Sequence, residues 1–398
     1  MAGVLRQADV RVAQTQEVSL KAFLLYFLRL GTFGFGGPIA LAANMRRELV
    51  DARQWVSPED YNEGLAFSQL CPGPLAAQLA MYLGWLRAGV AGATAVGILF
   101  ILPSFLMVLV LAAVYLRFGS LFWIQGAFYG IGAAVIAIIA RGALKLVKGT
   151  LGADRLLWVI FFGVTVLTAW LEAELIGVFI LCGFLAVLIK ATPSFFSSGT
   201  RAQSLVLQVL ATGLHGQAAL GTLGALFVFF AKAGAFVFGS GLAIIPFLYG
   251  GVVKDFHWLT DRQFLDAVAV AMITPGPVVI TAAFIGYLVG GPLGSILAAV
   301  AVFGPPYFLV IAGAPYYRRV AGNPRVKAFV QGVTAAAVGA ITGAAFVLGQ
   351  RAITDLPTAL IATAVLAMLL KTKKVPEPLL IAAAGLAGFV IHGAVGAR

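Results

Sequence analysis

Two Pro-Gly-Pro turns interrupt apolar stretches of this chain, and both could bind an anion. One is Cys71-Pro72-Gly73-Pro74 and the other is Thr274-Pro275-Gly276-Pro277. Proline lacks an amide hydrogen and disfavours helix at the residue before it, whereas glycine allows backbone angles that other residues resist. A helix that restarts after such a turn presents unpaired amides and the positive end of its dipole. Each turn is therefore predicted to be an anion-binding helix N-terminus.

A glycine-rich motif precedes each turn at the same distance. Residues 31–37 read Gly-Thr-Phe-Gly-Phe-Gly-Gly, and residues 234–241 read Gly-Ala-Phe-Val-Phe-Gly-Ser-Gly. Small residues let helices pack closely, so one motif alone is weak support for a site. The repetition strengthens it. The two motifs and two turns together give the predicted substrate-binding positions Gly36, Gly37, Cys71, Gly73, Gly239, Thr274 and Gly276.

One cation lies within the apolar stretch before each glycine motif. Arg29 and Lys232 are each about ten residues into a stretch, a depth near mid-bilayer at 1.5 Å per residue. A charge there is costly and by default functional, so both are predicted to bind the substrate. The alternative is that their long side chains reach the membrane interface.

Two acidic residues also match between the halves. Glu63 and Asp266 precede the two turns, and two interpretations stay open: they relay protons, or they stabilise helix starts. Three histidines, at positions 215, 257 and 392, lack the spacing of a metal site or a catalytic triad. No cofactor, metal site or enzymatic nucleophile is predicted.

These pairs arise from an internal duplication. A constant offset of 203 residues places Arg29 on Lys232, Trp55 on Trp258 and Pro103 on Pro306. The predicted organisation is a first repeat at 1–190, a linker at 191–215 and a second repeat at 216–398. Gly/Pro-interrupted segments at matching positions of two halves indicate a transporter whose site lies between the repeats.

Composition places the chain in a bilayer. Hydrophobic residues make up 61%, charged residues 11%, and the mean hydropathy is +1.00. Long apolar runs predict an all-α polytopic membrane protein, since barrel strands would alternate. One predicted span covers residues 19–37. The net charge of +12 comes from short loops between spans, which fits cytoplasmic loops and not a nucleic-acid surface. Cys71 and Cys182 both lie in apolar segments, so no disulfide framework is implied.

Loop charges predict that the repeats have opposite orientations. The loop with Arg141, Lys145 and Lys148 is basic, whereas its counterpart near Arg351 is not, and the neighbouring loops reverse this bias. We therefore expect inverted-topology repeats, with a parallel duplication as the alternative. Re-entrant Pro-Gly-Pro segments give five crossings per repeat; fully crossing ones give six and require one more crossing in the linker. About 10 to 13 crossings are predicted.

The motifs resemble those of the chromate ion transporter family in its long, two-domain form. The resemblance is carried by residues 33–38, by Trp55-Val56-Ser57 and by Cys71-Pro72-Gly73-Pro74, and it covers nearly the whole chain. It implies an inner-membrane protein that exports chromate and confers chromate resistance, with sulfate as a competing analogue. The second repeat departs from the pattern, since Ser240-Gly241 replaces Gly37-Pro38 and Thr274 replaces Cys71. Unequal roles of the two repeats are therefore expected.

Other functions and the assembly stay open at this stage. The chain could import sulfate or another oxyanion, or conduct it as a channel. A membrane-embedded enzyme acting on lipid phosphates would need clustered acids near the turns, whereas Gln78 and Thr281 are the polar neighbours there. The expected partners are chromate and the lipid bilayer, and a homodimer is left open.

Overall fold

The computed structural model describes residues 18–119, 121–172, 176–191, 221–237, 241–317, 322–372 and 375–396. All regular structure in these ranges is helical. The helices of the first half are α1 (Leu20–Phe33), α2 (Gly37–Met45), α3 (Pro58–Leu70), α4 (Leu75–Phe118), α5 (Phe122–Thr150), α6 (Arg155–Leu171) and α7 (Ile176–Lys190).

The second half repeats this order. Its helices are α8 (Thr222–Phe236), α9 (Ile244–Tyr249), α10 (Asp261–Ile273), α11 (Thr281–Gly313), α12 (Pro324–Ala352), α13 (Leu356–Lys371) and α14 (Glu377–Gly396). A short π-helical segment follows α2 and another follows α9. Each of the seven helices in one half thus has a counterpart in the other.

Four described helices are long and apolar enough to cross a membrane. These are α4, α5, α12 and the continuous stretch Val278–Tyr316 that contains α11. Shorter apolar helices include α6, α7, α8, α13 and most of α14. Many large apolar side chains of these helices are exposed, as expected when lipid covers them. The predicted all-α polytopic membrane protein is confirmed.

The chain from α1 to α2 doubles back on itself. Gly36 and Gly37 adopt φ values of +104° and +73°, which reverse the chain after α1. The guanidinium carbon of Arg53, beyond α2, then lies 5.9 Å from the ring centre of Tyr26 in α1. With 14 residues, α1 is about 21 Å long, short of the roughly 30 Å hydrocarbon core. The single span predicted at 19–37 is therefore wrong, because α1 ends before the glycines.

A second hairpin joins α3 to the first part of α4. A β-carbon placed on Gly64 would be 2.5 Å from the Tyr82 ring, and Phe67 stacks on that ring at 5.4 Å. If the two helices were collinear, residues 64 and 82 would be about 27 Å apart. The Pro-Gly-Pro turn therefore reverses the chain, as the re-entrant interpretation requires. A kink at Ala88-Gly89 reverses it again, since a β-carbon on Gly84 would meet the Gly92 carbonyl oxygen at 2.5 Å.

The two halves are interlocked. Helix α5 packs against α13 and α14 of the other half, and α12 packs against α6 and α7. The closest approaches match in pairs. A β-carbon on Gly130 would meet the Ala384 carbonyl oxygen at 2.0 Å, and one on Gly332 would meet that of Cys182 at 2.4 Å. Such close backbone packing is typical of small residues between membrane helices.

The repeat register changes beyond the Pro-Gly-Pro turns. Gly31 packs on the Phe100 carbonyl and Gly234 on that of Val302, an offset of 202 for the second partner. The ungapped offset of 203 is thus wrong in α4 and α11, and Pro103 corresponds to Pro305. The second repeat has one residue fewer here, and it begins with a tighter 3-10 turn at Val278–Ile280.

Helix ends collect on two faces of the molecule. On one face, which we call the basic face, Lys190 pairs with Asp154 and lies 2.8 Å from the Gln331 side chain. On the opposite face, Arg351 contacts Glu172 at 2.7 Å and Asp261 at 2.6 Å. The basic face carries Lys145, Lys148, Arg155, Lys190, Arg325, Lys327 and Lys371 at helix ends.

Candidate functional site

The hairpin tips of the two repeats meet through reciprocal hydrogen bonds. The amide of Gly73 donates to the carbonyl oxygen of Val237 at 2.5 Å, and the amide of Gly276 donates to that of Gly34 at 2.8 Å. The two bonds are related by the 203-residue offset. Each Pro-Gly-Pro turn therefore contacts the first hairpin of the other repeat. These two amides are engaged with carbonyls, so anion contacts near the turns must come from other donors.

Both turn glycines are required by their surroundings. Gly276 has φ +102°, and a β-carbon there would lie 1.9 Å from the Ser104 hydroxyl oxygen. Gly73 has φ +139°, and its β-carbon would meet the Gln78 side chain at 2.6 Å and Pro306 at 2.8 Å. Neither position has room for a side chain, and L-residues rarely adopt such angles.

A cavity of about 90 Å³ lies beside the Gly276 turn, and we call it the central cavity. Its volume is several times what one water molecule requires. Both repeats contribute to it: the segment after α1, α5 and α14 meet the end of α10. Its polar and backbone lining comprises Gly36, Gly37, Arg141, Lys145, Thr274, Gly276 and Glu377, and its apolar lining includes Phe35, Ile138, Met272 and Val278.

Two cations from α5, Arg141 and Lys145, together with Glu377 leave the central cavity a formal charge of +1. Arg141 and Lys145 are four residues apart and so lie on one helix face. Arg141 also pairs with Glu377 at 3.2 Å. Both cations were predicted to lie in a loop, although their i, i+4 spacing was a usable signal that they share one helix face. Their counterparts in α12 are Gly343 and Val347, so only the first repeat supplies these charges.

Two helix starts flank the same cavity. Helix α2 begins at Gly37, and the 3-10 turn that leads into α11 begins at Val278. Residues of both starts line the cavity, and helix starts favour anions. The duplication predicts that the helices starting at Pro74 and Pro277 face each other across the pseudo-twofold axis. In the structure the Pro277 turn instead meets the start of α2, because the reciprocal bonds join each turn to the other repeat's first hairpin.

Thr274 and Cys71 have different surroundings despite their matched positions. Thr274 lines the central cavity and donates its hydroxyl hydrogen to the Val270 carbonyl oxygen at 2.7 Å. Cys71 is a half-buried free thiol at the end of α3, apart from that cavity. The expected asymmetry is visible here. Gly239, another predicted position, lies outside the described residues.

The two predicted cations do not line the central cavity. Arg29 lies in α1 beside a separate cavity, which also contacts Gly34. Lys232 is half-buried in α8. Their roles in binding substrate therefore stay predictions.

The two matched acids each face a matched tyrosine of the other repeat. Tyr115 donates to Asp266 at 2.8 Å, and Asp266 is only 5% exposed. Glu63 lies within electrostatic range of Tyr317, the counterpart of Tyr115. Neither acid is in the first turn of its helix, where Glu59, Asp60 and Asp261 lie instead. The helix-start interpretation is therefore wrong for both.

Interlocked repeats with broken helices around a charged cavity define a polytopic membrane protein of the transporter type. A comparison with protein families identifies which one. The chromate transporter family profile matches residues 21–187 and again residues 224–389. The chain belongs to this family, and each repeat matches the profile separately.

Three relatives extend over nearly the whole chain. A chromate transport protein of Cupriavidus metallidurans is 54% identical and aligns over 94% of each chain. A probable chromate transport protein of Synechococcus elongatus is 51% identical over 97% of this chain and 99% of that one. A chromate transport protein of Pseudomonas aeruginosa is 33% identical over 92% and 91%. No solved structure matches the chain.

Proposed function

We propose that this protein exports chromate across the cytoplasmic membrane and thereby confers chromate resistance. The central cavity carries the proposal, because Arg141, Lys145 and two helix starts converge there from both repeats. Two cations, only one of them paired with Glu377, and oriented backbone dipoles favour a compact anion. The relatives' names supply the choice of chromate, and sulfate, a dianion of the same shape, is expected to compete.

Export fits the electrical driving force. Moving a dianion out through an inside-negative membrane releases about 4.6 kcal/mol per 100 mV, twice the single-charge value. Import against that potential would need coupling to protons or sodium. Export therefore needs no coupled ion, although the Asp266–Tyr115 pair offers a route for proton exchange.

The proposed topology places the basic face in the cytoplasm. Each repeat contributes two re-entrant hairpins and full crossings by α5, α6, α7 and the later part of α4, or their counterparts. Four crossings per repeat give inverted orientation only if the linker, outside the described residues, crosses once more. This topology has about nine crossings, fewer than the 10 to 13 predicted from the sequence, because the segment from α1 to α2 is re-entrant and does not cross. The side chains on each face support this arrangement, since the ends of α7 and the start of α12 share the basic face. Residues 1–190 and 216–398 are proposed as the two repeats.

Chromate uptake into everted membrane vesicles tests export directly. Their outer surface is the cytoplasmic one, so an exporter should accumulate labelled chromate in the lumen, and excess sulfate should reduce the rate. A lumen-positive potential should accelerate uptake of a dianion. Uptake found only in right-side-out vesicles would indicate an importer. An uptake rate that keeps rising with chromate concentration and never saturates would indicate a channel.

A further inference from the structure

A second polar cavity, of about 220 Å³, lies between α1 and the returning segment after it. We call it the basic cavity. Its lining includes three arginines and one glutamate, which leave a formal charge of +2. The polar lining residues are Tyr26, Arg29, Asn44, Arg47, Glu48 and Arg53.

Two polar groups of the basic cavity have no partner among the described residues. The Tyr26 hydroxyl is buried without a hydrogen bond, and Tyr26 is 8% exposed. Arg29 is exposed, and its guanidinium forms no hydrogen bond or ion pair with the described part of the chain. Arg47 reaches the Asn44 oxygen at 2.8 Å, while Arg53 contacts Glu48 at 3.3 Å and covers Trp55 at 4.6 Å. Buried polar groups normally have partners, so the unpaired Tyr26 hydroxyl beside three arginines indicates a ligand.

The second repeat shows what the same scaffold looks like without these groups. At the 203-residue offset, Phe229 replaces Tyr26, Phe247 replaces Asn44 and Phe256 replaces Arg53. Phe229 stacks on Phe247 at 5.1 Å and meets Phe256 edge-on at 5.7 Å. At these three positions the second hairpin packs with aromatic side chains, so Tyr26, Asn44 and Arg53 are not needed for the fold. Lys232, in contrast, keeps a cation at the position of Arg29.

The basic and central cavities flank one segment of chain. Phe33 and Gly34 line the basic cavity, and the following residues 35–37 line the central cavity. Arg47 and Arg53 lie toward the base of the α1–α2 hairpin. Arg87, which donates a hydrogen bond to the carbonyl oxygen of Val18, lies at the same end of the molecule. A ligand in the basic cavity would therefore lie beside the tip that contacts Gly276.

We propose that the basic cavity is a second binding site for a divalent tetrahedral oxyanion. The ion occupies this site before it moves to the central cavity. The proposal rests on oxyanion transport as proposed above. The charge of +2 matches such a dianion, arginine forks suit its oxygens, and the Tyr26 hydroxyl supplies a further donor. A hydrophobic ligand would be disfavoured by the same groups.

Equilibrium binding of radiolabelled sulfate to the full-length protein in nanodiscs tests this proposal. The wild type should bind two equivalents per chain. A triple variant, Tyr26→Phe/Asn44→Phe/Arg53→Phe, copies the second repeat and should bind one. Arg47→Gln, at an exposed position, should weaken one site at least tenfold and guard against misfolding of the triple variant. Arg46→Gln, on the same segment but outside the cavity lining, is the matched control.

The central-cavity variant Arg141→Gln/Lys145→Gln separates the two proposals. It should remove the other equivalent and leave sulfate in the basic cavity. If it leaves both equivalents intact, the central site is wrong while the basic cavity stands. If both Arg47→Gln and the folded triple variant bind sulfate as the wild type does, the basic cavity is not an oxyanion site.

Discussion

Gly276 donates its amide hydrogen to the carbonyl oxygen of Gly34 across 2.8 Å, which joins the Pro-Gly-Pro turn of one repeat to the first hairpin of the other. The same relationship recurs between Gly73 and Val237. Each bond thus joins a Pro-Gly-Pro turn to the tip of the first hairpin of the other repeat. The central cavity lies beside the first of these bonds, so any movement of one hairpin tip against the other must alter its lining.

Gly276→Val should abolish transport and destabilise the protein. A side chain at this φ costs about 1–3 kcal/mol, and its β-carbon would collide with the Ser104 hydroxyl. Gly304→Ala in α11 is the control, since a β-carbon there meets nothing within 4 Å. Thermal unfolding in detergent and chromate uptake measure the two effects. Normal uptake and unchanged stability in Gly276→Val would show that the contact does not constrain the tip.

Cysteine labelling should show each tested loop on the side of the membrane that the inverted arrangement of the repeats requires. In a Cys71→Ala/Cys182→Ala background, Thr150→Cys and Gly322→Cys should label only from the cytoplasm. Gly119→Cys, in the turn between α4 and α5, should label only from outside. Labelling of Thr150→Cys and Gly322→Cys from opposite sides would contradict the topology.

The network around Glu172 should make stability fall in acid. The Lys254 hydrogen bond and Arg351 hold the pKa of Glu172 below its usual range, even though partial burial opposes them. Because the folded pKa lies below the unfolded one, near 4.3, this contribution is full above pH 4.3 and is lost as pH falls through the folded pKa.

Melting temperatures between pH 6 and pH 3.5 measure this effect. Glu172→Gln should lower the melting temperature at pH 6 and flatten its decline in acid. Glu59→Gln, an exposed acid at the start of α3, should follow the wild type. If the melting temperature of Glu172→Gln fell with pH as steeply as that of the wild type, this network would not be the source of the acid sensitivity.

Much of the fold follows from residue types whose effect is local. The Pro-Gly-Pro turns, the apolar helices and the duplication were all predictable, because proline and glycine act on their own backbone. The α1–α2 hairpin was missed because residues 19–37 form one mostly apolar run, and hydropathy does not detect a chain reversal at Gly36-Gly37.

The composition of the central cavity depended on tertiary packing. The i, i+4 spacing of Arg141 and Lys145 indicates a shared helix face, but only the packing of α5 beside the Gly276 turn brings that face to a cavity. The contact between the Gly276 turn and Gly34 was also unpredictable. No local sequence pattern shows that this turn contacts Gly34 and not the turn at Pro74. Glu63 and Asp266 were found by repeat alignment, but their tyrosine partners lie in α4 and just after α11.

Asp266→Asn should separate proton coupling from electrical driving. The carboxyl group is buried with one tyrosine partner, so it is suited to exchange a proton during transport. We expect the variant to keep uptake driven by potential alone and to lose the part that depends on an imposed pH gradient. Glu59→Gln serves as the exposed-acid control. An identical response to the pH gradient in Asp266→Asn would exclude the relay.

The most direct test of the central claim is chromate uptake by Arg141→Gln/Lys145→Gln in everted vesicles. We predict a maximal rate at least tenfold below wild type at equal membrane content, because the cavity loses both cations that face the dianion. Lys148→Gln, one turn further along α5 and outside the cavity lining, should keep wild-type uptake. Wild-type uptake by the double variant would contradict chromate passage through the central cavity.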